Sequence, residues 1–239
     1  MKDQQEGKVS TRKQQCGSFL WACTLTLVCA AIDPQPATAQ VTITQITNTQ
    51  GGLLGAQSGR GVDTPSINAD GTRITFRSGE DLTGGNADGS EEIFLFDTTT
   101  STFTQLTTAR GGPFGFGIQL SISADGTRVA FESDGDLTGT NADGNQEIFL
   151  FDTTTGTTMQ VTDTAGGPSG QPSINAAGTR IAFTSNRDLT GGNADNSFEI
   201  FLFDSNTGFK QITNSTGGFS FDPAINADGT RIAFLSTED

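Results

Sequence analysis

The sequence predicts an all-β fold: a β-propeller of four-stranded antiparallel blades, three of them complete and a fourth partial. Three recurring phrases carry that prediction. The phrase at residues 66–76 returns at 121–131, 173–183 and 224–234, at spacings of 55, 52 and 51 residues. A second, Glu-Ile-Phe-Leu-Phe-Asp, occupies 92–97, 147–152 and 199–204. A third closes each unit with Gln, a hydrophobic residue and Thr, at 105–107, 160–162 and 211–213, with a further copy at 45–47.

Each unit resolves into four short strands, here called A to D. Ser66, Ile67 and Asn68 form strand A, and Asp70-Gly71 closes a tight turn because Gly accepts the positive φ that a hairpin requires. Residues 73–77 alternate and form strand B. The apolar run Ile93-Phe94-Leu95-Phe96 suits strand C, covered on both faces, and strand D follows at 103–107 after an Asp/Thr/Ser turn. Helices are excluded: the segments are short, rich in β-branched residues and cut by Gly-containing turns. Four-stranded units at this period stack face to face as propeller blades. The 18 Phe residues supply the bulk that such a stack requires. The blades are placed at about 65–108, 118–162 and 172–213, with a partial blade at 223–239 and a lone D-type strand at 41–47.

The combination Ser-Ile-x-Ala-Asp-Gly-Thr-Arg-Ile-Ala-Phe and Glu-Ile-Phe-Leu-Phe-Asp resembles the WD40-like repeat of TolB-type propellers, over essentially all of 41–239. The resemblance implies the propeller fold and, by analogy, a protein-binding role in the cell envelope. TolB carries a separate α/β domain before its propeller, for which the stretch between Gln40 and the first blade has no room.

Residues 1–39 read as a signal peptide. Lys2, Lys8, Arg12 and Lys13 precede an apolar stretch at 19–31, and Ala37-Thr38-Ala39 forms an A-x-A cleavage site that leaves Gln40 as the mature terminus. The apolar stretch is short for a membrane span. The expected destination is the periplasm or the cell exterior. Cys16, Cys23 and Cys29 all fall in this segment, so the mature chain is expected to have no disulfide or thiolate chemistry.

Charge and absent residues narrow the function. With 13 Lys+Arg against 27 Asp+Glu, the net charge of −14 disfavours nucleic acid as a partner. The chain has no His, which excludes a Ser-His-Asp triad and a His-ligated zinc site. It has no Tyr, and Ser123-Ala124-Asp125-Gly126 lacks the Gly and Trp that follow in a sialidase box, so a sialidase-type mechanism has no nucleophile. An inverting glycosidase needs a separated carboxylate pair. No such pair stands apart from the repeat, and the one irregularity noted is Ala176-Ala177-Gly178 where other copies read Ala-Asp-Gly.

The B–C connections are the candidate metal loops. Each copy places Asp, Asn, Asp and Glu at fixed offsets: Asp81, Asn86, Asp88 and Glu92; Asp136, Asn141, Asp143 and Glu147; Asp188, Asn193, Asp195 and Glu199. Hard oxygen donors on a Gly-rich turn suit calcium, although the spacing is not that of an EF-hand. The alternative is that these side chains cap their own turns. Strand alternation puts the B–C and D–A connections on one face. There Leu53, Leu54, Phe114, Phe116 and Phe219 join the Gly pairs as a candidate partner surface.

The expectation is therefore an exported, non-catalytic module that binds a protein or glycan at the cell envelope. A glycan-acting hydrolase or lyase propeller is the rival. Because 236–239 align with the start of a B–C loop, the sequence also reads as a truncated remnant of a larger propeller, as a chain that shares strands with a partner copy, or as a distorted four-blade closure.

Overall fold

In a computed structural model, residues 28–32, 41–47, 62–108 and 119–238 are described. They form 16 strands and no helix. The first blade consists of β3 (Val62–Ile67), β4 (Arg73–Ser78), β5 (Glu92–Asp97) and β6 (Thr102–Gln105), hydrogen-bonded in that order. The second consists of β7 (Leu120–Ile122), β8 (Arg128–Ser133), β9 (Glu147–Asp152) and β10 (Thr157–Gln160). The third consists of β11 (Ser169–Ile174), β12 (Arg180–Ser185), β13 (Glu199–Asp204) and β14 (Gly208–Gln211). β15 (Ser220–Ile225) and β16 (Ile232–Ser236) form the two-stranded start of a fourth.

The repeated phrases now have physical meaning. Strand C packs on both faces, because alternate side chains point to different neighbours. Phe76 stacks on Phe94 within the first blade, Phe131 on Phe149 in the second and Phe183 on Phe201 in the third, with centroids 6.1, 5.8 and 6.0 Å apart. All six rings are fully buried. Ile93 and Leu95 face the other way and join Leu120, Ile122 and Val129 of the second blade in one core cluster. Ala130, Ile148 and Leu150 pack likewise against Ile174, Ile181 and Phe183 of the third.

Polar contacts fix the stacking. Ala69 N donates to Ala124 O, Ala124 N to Ala176 O and Ala176 N to Ala227 O, a ladder linking the A–B turns of successive blades. Ser66 Oγ accepts from Ile122 N, Ser121 Oγ from Ile174 N and Ser173 Oγ from Ile225 N. Arg73 and Arg180 donate to the turn carbonyls of Gly126 and Gly229 in the next blade.

Two boundary readings are corrected. Strand A starts three residues earlier than expected in the first, third and fourth blades. A bulge at Thr64, Gln171 and Asp222 lets the chain continue, with φ of 47°, 58° and 53°. Each of these residues precedes a Pro, whose fixed ring and missing N–H masked the extension in the sequence. The second correction concerns the D-type strand expected to stand alone at 41–47. It runs as β2 (Val41–Gln45) and pairs antiparallel with β1 (Val28–Ile32), inside the segment read as a leader. That β-branched, short-side-chain stretch accepts extended pairing as readily as it fits a signal sequence. The cleavage motif at 37–39 lies outside the described residues. No helix among the described residues is long and apolar enough to cross a membrane.

Candidate ligand cleft on the loop face

The B–C loops are closed by hydrogen bonds within the protein. The leading carboxylates Asp81, Asp136 and Asp188 accept from the N–H of Asn86, Asn141 and Asn193 at 3.0, 3.0 and 3.1 Å. Those Asn side chains are buried and donate to the carbonyls of Ser90, Asn145 and Ser197. In the first loop, the Ser90 hydroxyl sits among Asn86 Oδ1, Asp88 Oδ1 and Glu92 Oε1, 2.8–3.1 Å from each. Ser197 does the same with Asn193, Asp195 and Glu199. The point at which these oxygens converge is thus filled by a hydroxyl. In the second loop Asn145 takes the Ser position and donates to the Gly167 carbonyl, and Asp143 is left exposed.

Glu92, Glu147 and Glu199 are buried clamps. Each accepts from the Thr that ends strand D: Thr107, Thr162 and Thr213. Glu147 also accepts from Thr164 N and Oγ1 at 2.6 and 2.7 Å, and Glu199 from Ser215 N and Oγ at 2.6 Å each. Burial pushes the Glu199 carboxyl pKa up, but the donors from Ser215, Thr213 and Ser197 outweigh it and hold the pKa below its ordinary value. In the three complete blades the Thr of the Gln-x-Thr phrase satisfies the Glu that starts strand C. Eleven of the twelve oxygen-bearing residues come together, loop by loop, in self-capped turns; Asp143 stands apart, exposed. Among the described residues no group of three acidic or Cys side chains has an ion-holding arrangement.

The positions that depart from the repeat converge elsewhere on the same face. The residue after the strand B Phe is Arg77, Glu132, Thr184 and Leu235 in successive blades. The residue before the strand C Glu is Glu91, Gln146 and Phe198. The bulge residue is Thr64, Gln171 and Asp222, with Gln119 in the second blade. Five of these eleven residues, Glu132, Gln146, Gln171, Thr184 and Phe198, line a cleft of about 360 Å³ between the second and third blades, together with Gly170, Pro168 and Phe221.

Glu132 is a buried residue in the wall of this cleft. Its two oxygens accept from the backbone N–H groups of Gln119, at 3.0 Å, and Gln171. Gln171 Oε1 accepts from Thr184 Oγ1 at 2.8 Å and from Asp222 N at 3.0 Å, and its Nε2 donates to Asp222 Oδ1 at 2.6 Å. One polar network thus ties the second, third and fourth blades together. Burial of Glu132, only 2% exposed, pushes its pKa up to about 7 against the pull of the two N–H donors and Arg77. Arg77 itself pairs with Glu91 at 3.0 Å.

The sequence reading missed this site, because it looked for irregularity in the turns and found only Ala177. Aligning strand B position by position shows the signal: four different residues at 77, 132, 184 and 235 inside an otherwise repeated phrase. Of the expected apolar surface residues, Phe219 is half exposed and packs edge-on against Phe198 at 6.2 Å. Leu53, Leu54, Phe114 and Phe116 lie outside the described residues.

No family model matches the sequence. No curated protein matches it either. Solved structures do resemble it. TolB of Acinetobacter baumannii superposes with a TM-score of 0.52 at 20% identity, over 80% of this chain and 39% of that one. A protein assigned as TolB from Agrobacterium tumefaciens gives 0.50 at 15%, over 89% and 70%. Oligogalacturonate lyase of Vibrio parahaemolyticus gives 0.53 at 15%, over 90% and 54%. At these identities the likeness concerns the fold, and this chain spans well under half of the Acinetobacter protein. The antiparallel four-stranded blades and these neighbours together establish that the chain folds as a TolB-like β-propeller.

Proposed function

We propose that the chain is a non-catalytic binding module, acting on a protein or glycan at the cell envelope or outside the cell, and that it takes its ligand on the face of the B–C and D–A loops. The observation that carries this reading is that five repeat-breaking residues, Glu132, Gln146, Gln171, Thr184 and Phe198, line one cleft between the second and third blades. These positions stand outside the Phe-on-Phe stacking that the copied residues serve. The cleft has the size and the mixture of aromatic and polar lining of a small recognition pocket. The TolB resemblance implies protein binding, whereas the Vibrio neighbour is named as a lyase, so the fold is compatible with either use.

The chemistry of the site favours binding over turnover. Both oxygens of Glu132 are held by backbone N–H groups, and among the described residues that line the cleft there is no second carboxylate. The B–C loops serve in this reading as self-supporting walls, held by Asn and Ser hydrogen bonds in place of calcium.

The reading is tested by presenting the immobilised full chain with peptide and glycan arrays, beside a Gln146→Ala/Phe198→Ala variant of matched thermal stability. The expected result is retention of a ligand class by the parent chain and its loss in the variant, with no cleavage of any array member. Undiminished retention by the variant, or turnover of an array member, would contradict it.

A further inference from the structure

We propose that the cleft receives a basic side chain, Lys or Arg, from a protein ligand; the inference rests on the binding reading above and names the group that is bound. The cleft floor is rich in acceptors. A methyl group added at Gly170 would overlap Glu132 Oε2 and stand 3.7 Å from Gln146 Oε1, so both oxygens face the same small space. Gln146 lines this floor, as do Gln171 and Thr184. A carboxylate offers about four lone-pair sites. The N–H groups of Gln119 and Gln171 take two of them, leaving acceptor capacity toward the cleft.

Glu132 has no ion-pair partner among the described residues, the nearby Arg77 being engaged with Glu91. A buried carboxylate without a partner is costly and is relieved by a cation that enters the site. Phe198, Phe221 and Pro168 supply apolar surface for the methylene stem of such a side chain, and the aromatic faces favour a cationic head. The net charge of −14 steers basic ligands toward the protein.

The charged side chains on the elements around Glu132 are engaged elsewhere. β4 contributes Arg77, already paired; β15 contributes Asp222, bonded to Gln171; β9 contributes Glu147, directed to Thr162 and Thr164. β7, β11 and β12 present Gln119, Gln171 and Thr184, all neutral. Among the residues that line the cleft, Glu132 is the one with an ionisable side chain. Raised toward neutrality by burial, it is the carboxylate here that changes state between mildly acidic and mildly basic solution.

Titration calorimetry on the full chain tests the inference with two probes of similar shape, Nα-acetyl-arginine amide and Nα-acetyl-citrulline amide, and with maltotriose as a neutral glycan. The arginine probe is expected to bind roughly tenfold tighter than the citrulline probe, or better, at pH 8, where Glu132 is ionised. The preference should fall toward unity at pH 5.5, where Glu132 carries a proton, and should be lost at pH 8 in Glu132→Gln. The wild-type pH series stands alone if that variant fails to fold. Equal binding of the two probes at pH 8, a preference unchanged by pH or by Glu132→Gln, or binding of maltotriose in place of both would overturn it. Such results alongside an array ligand that still needs Gln146 and Phe198 would remove the basic side chain and leave the binding module intact.

Discussion

Replacing Glu132 by Gln should flatten the dependence of folding stability on pH between about 4.5 and 7. Glu132 has its pKa raised from 4.5 to about 7 by burial, so the folded chain holds this proton more tightly than the unfolded chain does. Stability from this group is fully present below pH 4.5 and is lost as pH rises through about 7, after which no further loss occurs. An interval of that width corresponds to roughly 3 kcal/mol. The amide of Gln keeps one acceptor oxygen for the two N–H groups of Gln119 and Gln171, which costs about 1 kcal/mol at any pH. Glu132→Gln should therefore be the less stable protein at pH 4.5 and the more stable one at pH 8, by about 1–2 kcal/mol. The assay is urea unfolding of both proteins at half-unit steps of pH. The absence of His leaves few other groups to titrate in this range, and comparison of the two proteins cancels those. Parallel curves with no crossing would refute the argument that Glu132 is buried with a raised pKa.

Four further outcomes follow from the same structure. Gly170→Ala places a methyl on Glu132 Oε2 and should cost about 1–3 kcal/mol in urea unfolding, most of it recovered in a Glu132→Ala background, which vacates that space. Phe183→Ala, at a fully buried ring, should cost about 3–5 kcal/mol, whereas Phe234→Ala, at a position 39% exposed, should cost well under half as much; thermal unfolding of the pair checks this. Asn193→Ala removes a buried amide that donates to Ser197 O at 2.9 Å and should cost about 1–3 kcal/mol. Adding calcium or chelator should leave the melting temperature within about 1 °C, since a ligand bound only by the folded state would shift it further; a clear rise with calcium would return the loops to the status of a metal site.

The fold was legible because propeller stacking copies its requirements. Phe76, Phe131 and Phe183 recur since each must stack on a strand C Phe, and Asp70-Gly71 recurs since each hairpin needs the same turn. The start of strand A was hidden by Pro65, Pro172 and Pro223, which read as strand boundaries but sit beside bulges. The acidic loops were legible as chemistry and ambiguous as function. Residue types alone do not distinguish oxygens open to a cation from oxygens closed around Ser90 or Ser197, a matter of side-chain direction. Glu132 was obscured for the opposite reason. It occupies a strand position, where a charge beside Phe131 reads as an outward-facing residue, and only the neighbouring blade buries it.

The central claim is that the repeat-breaking residues form the ligand site, and amide chemical-shift mapping by NMR tests it most directly. With the arginine probe or an array ligand added to the labelled full chain, perturbed amides should gather at Gln119, Gln146, Gly170, Gln171, Thr184 and Phe198, around the cleft. Perturbations gathered instead on the opposite face, at the C–D turns of Asp97, Asp152 and Asp204, would contradict the account.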